Sequence, residues 1–234
     1  MSVIYIDLLI KWVVATSKNS LKAKNPFKYS KDACDELIRT YESNQEVKML
    51  AKNFYIDREK FNKKIDLNIK KFTKTVEVMI SGLDFNMELK PMSSYPKLNL
   101  PNDSDFDLGL LVKKFDTEKM FYLTKLLCEN GYSFEKVTKN KGNPGGDAYR
   151  YSIMFNGIEC EVKVRNYDFC SALRKLHDRL NSLSESESIF WTYHKYLVKE
   201  WAKKNDTYIY ELFKMILFHR YFYGVKGAFV LIPG

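Results

Sequence analysis

The chain has 234 residues, 45% hydrophobic and 29% charged, with 16 Tyr, 16 Phe and a formal net charge of +9. This balance excludes disorder over most of the length and allows one large domain, or two intimate ones, with a proper core. The positive charge favours an anionic partner such as nucleic acid, nucleotide or an acidic surface, although merely solvated lysine faces account for it as well.

Cys34, Cys128, Cys160 and Cys170 form no CxxC pair. They read as reduced thiols in a cytoplasmic or nuclear setting. His177, His194 and His219 are equally dispersed, which argues against a structural zinc site.

Residues 1–47 read as an N-terminal helical extension, broken at Lys24-Asn25-Pro26. Its opening, MSVIYIDLLIKWVVATSK, is apolar but interrupted by Asp7 and Lys11, with no basic leader. It is too short to span a bilayer, so no membrane partner is expected. A long helix follows, with Phe61, Ile65, Ile69, Phe72, Val76 and Met79 along one face. The opposite face carries Lys60, Lys63, Lys64, Lys70, Lys71 and Lys74 and could lie along phosphates or simply be solvated. Gly82 ends this helix.

The segment NLPNDSDFDLGLLV, residues 99–112, begins as a turn and ends as a buried strand. Phe106, Leu108, Leu110 and Val112 share one side of that strand; Asp105 and Asp107 share the other. A helix over 117–129, closed by Asn130-Gly131, leads to the basic, glycine-rich loop KNKGNPGGD. AYRYSIMF and IECEVKVR then flank Asn156-Gly157, the preferred two-residue turn of a tight hairpin. On the second strand Ile158, Cys160, Val162 and Val164 face one way, and Glu159, Glu161, Lys163 and Arg165 the other.

Beyond Asp168 the pattern is helical. Its stripes are Phe169, Leu173, Leu176 and Leu180, then Phe190, Leu197, Val198 and Trp201, then Tyr208, Leu212, Met215, Ile216 and Phe222. The expected fold is α+β: a small mixed sheet with a long N-terminal helix over residues 48–167, then a helical bundle over 168–234 packed on it. No internal repeat is visible. The apolar ending AFVLIPG is read as packing on the bundle or as a chain cut short.

Two aspartates one residue apart on a strand project the same way, at a spacing suited to one or two divalent ions. A third carboxylate from a neighbouring strand would complete a two-metal clamp, its ions about 3.5–4 Å apart. Oxygen ligands of this kind suit Mg²⁺ or Mn²⁺ better than zinc. Pro101, Asn102, Asp103 and Ser104 are turn formers, so solvated turn carboxylates are the plain alternative.

The stretch SSYPKLNLPNDSDFDLGLLV resembles the signature of the DNA polymerase β-like nucleotidyltransferases. It is similar to the cyclic GMP-AMP synthase-like, oligoadenylate synthetase and poly(A) and poly(U) polymerase branches. The resemblance spans roughly residues 54–224 and implies the family's catalytic palm, with Asp105 and Asp107 as metal ligands. The third carboxylate it implies is Glu161, with Glu159 on the same face as the alternative; the family usually has Asp there. Where the family has Gly-Ser, this chain has Met92-Ser93 or Ser93-Ser94, so Ser93 or Ser94 would grip the triphosphate without the glycine that lets backbone approach closely. By position, Lys199 and Thr207-Tyr208 would touch the nucleotide, although Trp201 and Tyr208 read equally as core residues. No zinc-binding His/Cys insertion is present.

The implied activity is Mg²⁺- or Mn²⁺-dependent transfer of a nucleoside monophosphate from an NTP to a hydroxyl, on a second nucleotide or an RNA 3′ end. Nucleic acid would dock on the basic helix. The alternative is a nucleotidyltransferase fold that has lost catalysis and binds nucleic acid or protein.

Overall fold

Apolar residues recurring every three or four positions produce three successive helices: α1 (Val3–Lys22), α2 (Pro26–Glu42) and α3 (Gln45–Ile80). The expected break falls between α1 and α2. There the Asn25 side chain accepts the Lys28 N–H at 3.0 Å, and Pro26 opens the first turn, where no amide is needed. Then come β1 (Met87–Pro91), β2 (Phe106–Val112), α4 (Thr117–Glu129), β3 (Ser133–Val137), β4 (Ala148–Phe155), β5 (Ile158–Asn166), α5 (Glu185–Asn205) and α6 (Ile209–Phe222). The structure, a computed structural model, describes residues 3–83, 87–91, 97–101, 106–112, 116–137, 148–166, 175 and 178–224. No helix among them is long and apolar enough to cross a membrane.

The chain divides into two units, one of residues 1–59 and 178–225, the other of 60–177 and 226–234. The division falls within α3. Residues 1–47, expected as a separate extension, share a unit with α5 and α6.

In the first unit α1, α2, α5 and α6 bury Val13, Phe27, Leu37, Phe190, Trp191, Val198, Phe213 and Ile216 among one another. The apolar phase of α6 differs by one position from the expected stripe. Ile209, Phe213, Ile216, Leu217 and Tyr221 are buried, whereas Tyr208 stands before the first turn and is 86% exposed. The core reading of Tyr208 is therefore corrected; Trp201 is half-buried. α5 starts on a capping box, the Ser184 hydroxyl accepting the Glu187 N–H and the Glu187 carboxylate accepting the Ser184 N–H.

His194 lies fully buried at the centre of this unit, against Phe190 and Tyr41. Its Nδ1 lies 2.7 Å from the Phe190 carbonyl, which can only accept, so Nδ1 carries the proton. Nε2 then accepts from the Tyr5 hydroxyl at 2.6 Å. Burial pushes the imidazole pKa down to about 4, so the ring is neutral.

The second unit holds one five-stranded mixed sheet in the order β1-β2-β5-β4-β3. β2 and β5 run parallel, and the other neighbours run antiparallel. Ile65, Ile69, Phe72, Val76 and Ile80 of α3 and Met120, Leu123 and Leu127 of α4 cover one sheet face, against Phe106, Leu108, Leu110, Tyr151, Val162 and Val164. Phe72 meets Phe106 and Phe155 edge-on, with ring centroids 6.0 and 5.5 Å apart. The Tyr151 hydroxyl, pushed up to about 12 by burial, donates to the Thr124 Oγ1 at 2.8 Å. Ahead of β2, the buried Asn99 donates to Asn62 Oδ1 of α3 at 2.5 Å.

Candidate active site

The side chains that alternate away from the helices put polar groups on the opposite sheet face. β2 contributes Asp107; β5 contributes Glu159, Glu161 and Lys163; β4 contributes Arg150 and Ser152; β3 contributes Glu135. Register aligns them. Asp107 is the direct partner of Glu161, and Gly109 of Lys163, across the parallel pair. The Asn156-Gly157 turn, with φ of 50° and 80°, sets Phe155 opposite Ile158. It thereby sets Ser152 opposite Glu161 and Arg150 opposite Lys163.

Lys163 is the register partner of Gly109, which carries no side chain, and its Nζ lies 2.7 Å from both Asp107 Oδ1 and Glu161 Oε2. Both carboxylates are thus aimed at one point occupied by a cation. Ser152 donates to Glu161 Oε1 at 3.3 Å, and Arg150 reaches the same oxygen at 3.7 Å while pairing with Glu135.

Glu161 is 5% exposed, and burial works to raise its pKa. The hydrogen-bonded Lys163 ammonium and the Arg150 charge outweigh burial and hold the carboxyl below its ordinary value. Burial likewise works against the Lys163 ammonium, but Asp107 and Glu161 hold its pKa above the ordinary value. Beneath the pair, burial first, then the charges of Asp107 and Glu159, push the Cys160 thiol up to about 12, leaving it inert.

The sequence-expected site residues fall into three groups. Asp107 and Glu161 are brought together, whereas the alternative Glu159 is exposed and opposes Met154 of β4. Asp105, Ser93 and Ser94, along with Asp103 and the loop KNKGNPGGD, lie outside the described residues. Lys199 and Tyr208 belong to the first unit. The Lys199 ammonium lies 5.5 Å from the Tyr210 ring centroid, and Lys214 lies 5.0 Å from it on the following helix.

Lys163, Arg150 and Ser152 escaped the sequence reading as site residues. The two-residue turn was the signal that could have found them, since it dictates every cross-strand partner back to Arg150.

Two aligned carboxylates that already share one cation suit a hard divalent ion, whose ligands are oxygens. Asp107 and Glu161 fit such an ion, and the Lys163 ammonium stands at the same point. Among the described residues no group of three or more metal-ligating side chains converges.

The chain matches no protein-family model and no curated protein. Among solved structures it is similar to the crystal structure of the Cid1 poly(U) polymerase, at 18% identity and a TM-score of 0.40, covering 65% of this chain and 46% of that one. A cytoplasmic RNA terminal U-transferase is similar at 16% identity and a TM-score of 0.39, covering 68% of this chain and 47% of that one. The chain thus spans about half the length of either structure. At these scores the functional reading rests on the chain's own residues.

Proposed function

We propose that the chain is a nucleotidyltransferase that moves a nucleoside monophosphate from an NTP to a hydroxyl acceptor, on a second nucleotide or an RNA 3′ end. The observation that carries this reading is the in-register meeting of Asp107 and Glu161, both aimed at one cation position. With Asp105 they would hold one or two Mg²⁺ or Mn²⁺ ions. Such ions, when bound, stabilise charge on transferring phosphoryl oxygens and ease loss of the acceptor proton.

The chain's own residues do the positioning. The parallel β2–β5 register fixes the carboxylates on rigid strands, and Ser152 and Arg150 restrain Glu161 from β4. Ser93 or Ser94 would take the triphosphate. The exposed lysines of α3 (Lys60, Lys63, Lys64, Lys70, Lys71 and Lys74) form the surface on which nucleic acid would dock.

The test is incubation with labelled ATP, GTP, CTP and UTP and Mg²⁺ or Mn²⁺, with and without RNA or DNA. Wild type is compared with the Asp107→Asn, Glu161→Gln double variant. Metal-dependent product from wild type alone supports the reading; equal product from the double variant refutes it.

One observation favours a second reading, a nucleotidyltransferase-like sheet that binds nucleic acid or protein without catalysis. Lys163 already balances the two carboxylates from within the chain. No product under any condition, together with tight nucleic-acid binding, would support it.

A further inference from the structure

Lys163 lies between the two carboxylates in a setting with little water. Its side chain is 20% exposed, against 19% for Asp107 and 7% for Glu161. One oxygen of each carboxylate is committed to its Nζ at 2.7 Å. A divalent ion takes carboxylate oxygens at about 2.0–2.1 Å, and the point that the two side chains share lies where the ammonium stands. Ammonium and metal cannot both stand there.

Arg150 is poorly placed to take over the ammonium's part. It is paired with Glu135 and lies 3.7 Å from Glu161, a longer approach than the 2.7 Å of Lys163. Lys163, by contrast, ends a flexible four-carbon stem that can swing without moving β5. Gly109 opposite it puts no side chain in the way.

We infer that Lys163 is a displaceable internal counter-cation: a divalent ion reaches Asp107 and Glu161 only as the ammonium leaves, and Lys163 thereby sets the metal affinity of the site. This rests on the reading of Asp107 and Glu161 as metal ligands. It makes Lys163 a positioning residue rather than a ligand. The apparent affinity for a bare ion is lowered by whatever free energy holds the ion pair, because that pair must be broken first.

The probe is Mn²⁺ alone, its binding to the full chain read by the loss of the free-ion paramagnetic resonance signal. Lys163→Met keeps the stem and removes the charge; it is expected to bind Mn²⁺ at least about tenfold tighter than wild type, since a tenfold change is a modest ion-pair free energy. Lys163→Arg keeps a charge and is expected to stay near wild type. Equal or weaker Mn²⁺ binding by a folded Lys163→Met overturns the inference while leaving the metal site intact. Wild-type Mn²⁺ binding by the Asp107→Asn, Glu161→Gln variant removes the underlying reading as well.

Should Lys163→Met not fold, wild type labelled with ¹⁵N at lysine Nζ decides the matter. The Lys163 resonance is expected to move from its ion-paired position as Mg²⁺ saturates. An unmoved resonance at saturation overturns the inference.

Discussion

Asp107 and Glu161 are register partners on adjacent parallel strands, although fifty-odd positions separate them in sequence. Each is half-buried or better, and each accepts from the same ammonium. Asp107→Asn and Glu161→Gln remove a charge while keeping shape. Each is expected to lower nucleotidyl transfer at least ~100-fold, the usual scale for losing a group that stabilises transition-state charge. Initial rates with labelled NTP, alongside a thermal melt of each variant, check this.

Glu159 shares the face of Glu161 but is exposed and opposes Met154. Glu159→Gln is expected to leave the transfer rate within about twofold of wild type, as surface substitutions away from a site usually do. A loss as deep as that of Glu161→Gln in the same assay would exchange their assignments.

His194 gives the first unit an acid-sensitive point. Its pKa is about 4 in the folded chain against 6.5 when exposed, so between these values the unfolded chain binds the additional proton. Stability from this residue is complete above pH 6.5 and falls as pH drops towards 4, by about 3 kcal/mol at most. Urea unfolding at steps from pH 7 to pH 4 is expected to show this slope. In His194→Gln the slope should flatten, leaving the carboxylate losses at the acid end.

The lysine face of α3 predicts a salt-dependent affinity. Each phosphate neutralised contributes about 0.7–0.9 to the slope of log affinity against log salt. Replacing Lys63, Lys64 and Lys71 with Gln should therefore reduce the slope for RNA or duplex DNA by about 2–3. Fluorescence anisotropy at several salt concentrations measures it, and an unchanged slope would leave the face merely solvated.

Phe72 is fully buried among Phe106, Tyr132 and Phe155. Phe72→Ala opens a cavity under β2 and should destabilise the fold by about 3–5 kcal/mol, read by denaturant unfolding.

Much of this could be read in the sequence where interactions are local. The 3.6-residue rhythm from Phe61 to Met79 marks the packed face of α3, and Asn130-Gly131 closes α4 where expected. Asn156-Gly157 announces the hairpin, and alternation puts Asp107 and Glu161 on polar faces. What period and turn cannot tell is which strand lies beside which. The parallel pairing of β2 with β5 is a long-range fact, and the choice of Glu161 over Glu159 depends on it.

The ion-pair row from Asp107 to Glu135 crosses four strands, so no single segment reveals it. In α6 the aromatic Tyr208 looked like the start of a buried stripe. It stands ahead of the helix instead, and the true stripe begins at Ile209.

The Asn156-Gly157 turn has a consequence for how this protein tolerates genetic change. Ile158, Glu159 and Cys160 act as a ruler between the turn and Glu161, and a ruler is indifferent to what it is made of but not to its length. Conservative replacements along it should be absorbed. A single-codon insertion or deletion there would rotate Glu161 toward the greasy side of the sheet and bring Cys160 or Val162 up to face Asp107. Damage of that kind would silence the carboxylate pair while sparing every residue that composes it.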